Sequence, residues 1–321
     1  MQQQKVAFIC PLYDMKNHFD YAFNLLKSKN DLGIDEDLYF VFSNEEQYEK
    51  FDRLVYNSLK CHIKYLIIDA ELLDLKAKVT IKKFFGLRKL MDLYEYISII
   101  DCECLFFKSG NYTKLFEEIW QKRTALITNF SLLGFFSLRT CLRTLGLYDN
   151  KKLQKVFKHC RYNFWFNDIP VYKCDILPDF FMWLDNFDIK GWGNEWQCYE
   201  YYIFAVYLIL KKNYQLEYTS YYASIGVVEY LIAFPEKKQR EILDVLGTHW
   251  SSIPHVTNEN TYLLFHLDRT KKYSSVPFFV RKFKWTILNL GLYNLMCLTI
   301  LMDKLHLGRL ASTLVRRLIG Y

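Results

Sequence analysis

The stretch Tyr96-Ile-Ser-Ile-Ile-Asp101-Cys102-Glu103 decides the fold. An apolar run rich in β-branched Ile leads into two acids separated by one residue. Such a run suits a strand covered on both faces, as in a parallel sheet. Acids placed where that strand runs out stand at the edge where open α/β sheets take their ligands. Two carboxylates one residue apart at that edge can reach a single divalent cation.

The same pattern repeats upstream. Residues 5–10 form a short apolar run closed by Pro11, and 37–42 and 65–69 form two more. Between the runs, 17–27, 45–59 and 80–94 carry apolar residues at helical spacing, for example Phe84, Leu87, Leu90 and Met91 on one face. Strand and helix alternate, which predicts an α/β fold with right-handed crossovers and a doubly wound mixed sheet flanked by helices. Downstream, the spacing predicts a helix over 113–121, a strand over 125–129, a partly helical 132–158 and an aromatic, Asp-rich 164–188. A tight turn at 191–196 then opens a helix running to about Leu210. A short helix over 240–246 and a late strand over 262–266 follow. With 12 Gly and 6 Pro there is no linker stretch. The expectation is one mixed domain over 1–276 and a C-terminal helical extension over 277–321.

Composition supports an ordered body. Of 321 residues, 51% are apolar and 24% charged, which suits a packed core rather than a disordered chain. The nine Cys include no CxxC pair, which argues against a zinc site. Scattered thiols suit a reducing compartment. Met1-Gln-Gln-Gln-Lys5 runs straight into a strand without a signal-peptide pattern, so a cytoplasmic location is expected. The net charge of +7 is uneven. From Thr270 to Tyr321 nine basic residues face one acid, Asp303, which leaves the rest of the chain near neutral. That distribution excludes broad nucleic-acid binding and points to one specialised surface.

Taken with its position about 100 residues into a strand–helix alternation, Asp101-Cys102-Glu103 resembles the D-x-D motif of GT-A glycosyltransferases, which follows the fourth strand of their nucleotide-binding half. Lys82-Lys-Phe-Phe-Gly-Leu-Arg-Lys89 is similar to the segment near the donor in bacterial and viral members that build capsule or lipopolysaccharide. The resemblance covers 5–130 best. It departs from the family pattern in its final Glu and its central Cys. It implies a GT-A-like fold and a nucleotide-sugar donor whose diphosphate is met by Mn²⁺ or Mg²⁺ on Asp101 and Glu103, with Cys102 between them. It also implies that the loop Pro11-Leu-Tyr13-Asp14 holds the base and ribose, with Ser43 and Asn44 beside the base.

Lys83 and Arg88 are candidate phosphate partners, the alternative being a solvated basic helix face. A late-strand His is a frequent further metal ligand in the family. His266 holds that place, with His249 and His255 as second choices and a buried structural His as the alternative.

An inverting transfer needs a carboxylate to deprotonate the acceptor hydroxyl. Gly191-Trp192-Gly193-Asn194-Glu195-Trp196 looks like the G-W-G-x-E/D element of inverting galactosyl- and hexosaminyltransferases. It implies Glu195 as base, with Glu200 as runner-up, and Trp192 and Trp196 as flat faces for a sugar ring. Asp168, Asp179 and Asp185 are candidates for acceptor hydroxyls. The basic, aromatic tail with Trp285 reads as an interfacial helix on an anionic membrane, which places the enzyme peripherally on the inner face beside a glycan or glycolipid acceptor. Two other readings stand beside this one: a nucleotidyltransferase of sugar phosphates, disfavoured because Cys10-Pro-Leu-Tyr-Asp14 lacks Gly, and a non-catalytic membrane-surface module.

Overall fold

A computed structural model describes residues 4–12, 18–72, 74–75, 77–102, 104–106, 109–121, 126–128, 132–158, 170–188, 192, 199–214, 216–218, 228–230, 264–266 and 301. Its centre is a five-stranded sheet in the order β3-β2-β1-β4-β7. Strands β1 (Gln4–Pro11), β2 (Asp37–Phe42), β3 (Lys64–Ile67) and β4 (Tyr94–Ile99) run parallel. The edge strand β7 (Val171–Lys173) runs antiparallel to β4, with Ile97 opposite Tyr172. The expected α/β doubly wound mixed sheet is therefore present.

Side-chain alternation along β1 shows how the helices divide between the faces. Phe8 points to one face, where its ring meets Tyr112 at 5.1 Å and Phe116 at 6.0 Å. Both lie on α4 (Tyr112–Gln121). Phe40 and Phe42 of β2 meet Phe51 of α2 (Glu45–Leu59) on the same side. Ile9 points to the other face, against α3 (Lys78–Leu90). There a Cβ on Gly86 would stand 3.0 Å from Ile9 Cδ1 and 3.1 Å from Ile9 Cγ2, so a bare Cα is what lets α3 lie so close. Phe8, Ile9 and Phe40 are fully buried, each contributing about 1.5–3 kcal/mol relative to exposure.

Capping fixes the first half of the chain. Asn44 Oδ1 accepts from the Gln47 N–H at 2.9 Å to start α2, and Lys60 in the left-handed region ends it. Helix α1 (His18–Asp31) precedes β2. Beyond β4 come β5 (Cys104–Phe106), β6 (Leu126–Thr128), α5 (Leu132–Thr144) and α6 (Lys151–Lys158). After β7 come α7 (Leu177–Leu184) and α8 (Glu200–Lys212), and α8 packs on α3. Strand β8 (Leu216–Tyr218) pairs with β6, while β9 (Val228–Tyr230) and β10 (Leu264–His266) form a small sheet with β5.

Three expectations are corrected. The helix after the Gly-Trp-Gly segment begins at Glu200 rather than after Trp196. A strand, β7, lies inside the aromatic, Asp-rich stretch, and another, β5, follows the D-x-E motif at once. The helix expected over 240–246 and the extension over 277–321, Leu301 apart, lie outside the described residues.

Candidate active site

The carboxyl edge of the parallel sheet gathers the polar groups. Strand β4 gives its last ladder bond where Ile100 N–H donates to the Ile9 carbonyl at 2.9 Å. The chain then turns at Asp101, whose carbonyl accepts from Cys104 N–H at 3.0 Å as β5 begins. The Asp101 side chain is 45% exposed, while Cys102 is buried. Asp101 Oδ1 lies 3.6 Å from Lys83 Nζ. Lys83 Nζ in turn donates to Glu200 Oε1 at 2.8 Å, and the Tyr199 ring centroid is 5.3 Å from the ammonium. Lys83 and Glu200 are 5% and 2% exposed.

These charges are buried because α3 and α8 close over them. A charge taken out of water persists only when paired and hydrogen-bonded. Burial alone would lower the Lys83 pKa, but Glu200 and Asp101 outweigh it and hold the ammonium above its ordinary value. Burial raises the Glu200 carboxyl, and Lys83 opposes that rise.

Lys82, also buried, donates Nζ to the Leu12 carbonyl, and Leu12 N–H donates to Val41 O at 3.0 Å. The exit of β1 is thereby tied to both α3 and β2. The solvated basic face considered for this helix does not exist at Lys82 and Lys83.

The structure places the other predicted residues as follows. Pro11 ends β1 and Ser43 directly follows β2, so both stand at the carboxyl edge. Ser43 N–H donates to Gln47 Oε1 at 3.0 Å, and the Asn44 side chain is engaged as the α2 cap. Arg88 is not brought to the cluster. It lies five residues beyond Lys83, about 7.5 Å along the axis, where it pairs with Asp185 and covers the Phe181 ring at 4.2 Å. Asp179 pairs with Lys212 at 2.8 Å. Trp192 is buried, 6.4 Å from the Phe84 ring, rather than presented as an open face.

The backbone of His266 is opposite Cys104 in the β10–β5 pair, one residue beyond Glu103 in sequence. Tyr13, Asp14, Glu103, Glu195, Trp196, Asp168, His249, His255 and the His266 side chain lie outside the described residues. Among the described residues no three His, Cys, Asp or Glu side chains group as a metal set. Two members of the edge escaped sequence reasoning, Lys82 and Tyr199. Adjacent lysines flanked directly by Ile81 and Phe84 were the available signal for the first.

The sequence matches no family model and no curated protein. Solved structures are similar at low identity. The galactosyltransferase LgtC, in complex with donor and acceptor sugar analogs, is 13% identical with a TM-score of 0.37, over 83% of this chain and 87% of that one. Mouse xyloside xylosyltransferase 1 in its apo form is 11% identical with a TM-score of 0.40, over 84% and 98%. S. aureus TarS 1-349 is 14% identical with a TM-score of 0.27, and the chain spans 36% of its length. Likeness at these scores assigns neither reaction nor substrate to this chain.

Proposed function

We propose that this protein is a GT-A-like glycosyltransferase. It moves a sugar from a nucleotide-sugar donor to a glycan or glycolipid acceptor in surface polysaccharide synthesis, with inversion. The observation that carries the reading is Asp101: a half-exposed carboxylate at the carboxyl end of β4, beside a buried lysine, at the edge where doubly wound sheets bind nucleotides. The surrounding edge suits a donor, since Pro11 ends β1 beside β4 and Ser43 directly follows β2 beyond it.

The proposal extends to a divalent cation at this edge. Asp101 supplies a hard oxygen donor open to solvent, and the β5–β10 register brings the His266 backbone next to the D-x-E turn. In the proposal Asp101 and Glu103 hold Mn²⁺ or Mg²⁺, with His266 as a third ligand. Once bound, the cation neutralises charge on the departing diphosphate. Tyr13 and Asp14 take the base and ribose. Glu195 is the base that accepts the proton of the attacking hydroxyl.

Glu200 does not fit that role, because its carboxylate is buried and bonded to Lys83. Lys83 is buried and tied to two carboxylates, so it is not proposed as a direct phosphate partner. No helix among the described residues is long and apolar enough to cross a membrane. The basic 277–321 segment is proposed to rest on an anionic leaflet, where a lipid-linked acceptor would be held.

A thermal-shift panel of nucleotide sugars, with and without Mn²⁺, tests the reading. One nucleotide class should raise Tm, and more so with Mn²⁺. A panel in which nothing shifts Tm rejects it.

A further inference from the structure

Resting on that reading, we infer that the amino terminus of α3, together with the Thr80 hydroxyl, is a phosphate site that takes the diphosphate of the nucleotide-sugar donor. Helix α3 joins the parallel strands β3 and β4, so it starts at the carboxyl edge of the sheet. Ala77 precedes it and has no side chain that can cap it. Its first turn holds no acid, and Lys78 opens it. The leading N–H groups and the positive end of the helix dipole therefore face the edge without a counter-charge from the turn itself.

Thr80 forms the inner side of that first turn. It is 1% exposed, and its hydroxyl has no hydrogen-bond partner among the described residues. A buried donor without an acceptor is costly, and a phosphate oxygen at the helix end supplies one. Side chains on a helix lean toward its amino terminus, so the hydroxyl lies at the end where the N–H groups converge. Threonine divides between two χ1 wells in helices, which lets the hydroxyl turn toward an oxygen held by those groups. Lys78 is exposed and Val79 half-buried, so the outer side of the turn is open to solvent.

Neighbouring residues set this turn beside the candidate donor edge. Thr80 and Lys83 share a face of α3, about 4.5 Å apart along the axis. Lys83 lies 3.6 Å from Asp101, and Lys82 donates to the Leu12 carbonyl just past β1. Lys83 offsets part of the negative charge of Asp101 and Glu200, and Lys78 adds a positive charge at the turn.

The test is calorimetric titration of inorganic diphosphate into the full chain in EDTA, so that no divalent cation takes part, with Tm read alongside. Wild type should bind it, and more tightly than orthophosphate. Thr80→Val keeps the shape and removes only the hydroxyl. It should bind about tenfold more weakly with Tm unchanged or raised, because an unsatisfied buried donor is gone. Thr80→Ser keeps the hydroxyl and should bind close to wild type. Lys78→Glu places an acid at the helix start and should bind about tenfold more weakly while Tm holds or rises.

The inference is overturned if the wild type binds no diphosphate, if orthophosphate binds as tightly, or if T80V or K78E binds like wild type. A T80V whose Tm drops together with its binding also overturns it, since the hydroxyl is then structural. Nucleotide-sugar binding in a chain that takes up no diphosphate keeps the glycosyltransferase reading and loses this site. The predicted diphosphate pattern in a chain that binds no nucleotide sugar does the opposite.

Discussion

Two polar clusters sit at opposite ends of the same sheet, and they are built differently. At the amino end Asp37 accepts from the Tyr94 hydroxyl and from Lys64 Nζ at 2.6 Å, and the Tyr94 and Tyr39 hydroxyls meet at 3.0 Å. Burial and the bond to Asp37 push the Tyr94 phenol well above its ordinary pKa. Asp37 is only 16% exposed, so this cluster closes on itself. At the carboxyl end the positions are reversed. The lysine and one acid are enclosed, and the second acid, Asp101, faces solvent. Both clusters satisfy their polar groups, and only the second holds a half-exposed carboxylate at the surface. Openness, not charge density, separates the candidate site from a structural network.

The largest effect that sharpens this contrast is on Lys83. Lys83→Met strands a buried Glu200 carboxylate and should cost about 3–5 kcal/mol in guanidinium unfolding. A cost below about 1 kcal/mol would mean the pair is not the enclosed one described. At the other end, Tyr94→Phe removes a hydrogen bond to a charged acceptor and should cost about 1.5–3 kcal/mol while leaving nucleotide-sugar turnover unchanged. A fall in turnover would break the contrast, because the amino end would then bear on function.

Gly86→Ala sets a gain in helix propensity of about 1 kcal/mol against crowding on Ile9. A net loss of about 1 kcal/mol is expected from chemical denaturation, smaller in an Ile9→Val background. The smallest effect is the pH dependence. A lysine whose folded pKa is raised contributes stability that is complete below its unfolded value and lost above it. The stability gap between wild type and K83M should therefore widen as pH rises through the raised titration of the unpaired Glu200 carboxyl in the variant, and narrow again above the Lys83 unfolded value of 10.5.

The first four strands and three helices were legible because each is long enough to show its period. Asp37–Phe42 and Glu45–Leu59 fall where the apolar spacing puts them. Strands β5 and β7, at three residues each, are too short to show alternation, and β7 finds its partner in β4 some 75 residues earlier in the chain. Asp101 was legible from its place at a strand end. The Lys83–Glu200 bond was not, since it joins residues 117 apart. Lysines in a helix also read as solvent-facing until the neighbouring helix that buries them is known. The same blindness grouped Arg88 with Lys83 as a phosphate partner, although five residues set the two side chains about 140° apart around the helix.

The most direct test is release of nucleotide diphosphate from the sugar nucleotide that stabilises the wild type, compared with Asp101→Asn. The substitution keeps the size of a half-exposed side chain, so Tm should change little, while turnover should fall by about a hundredfold or more. Turnover within a few-fold of wild type at unchanged Tm would contradict the assignment of this edge as the donor site.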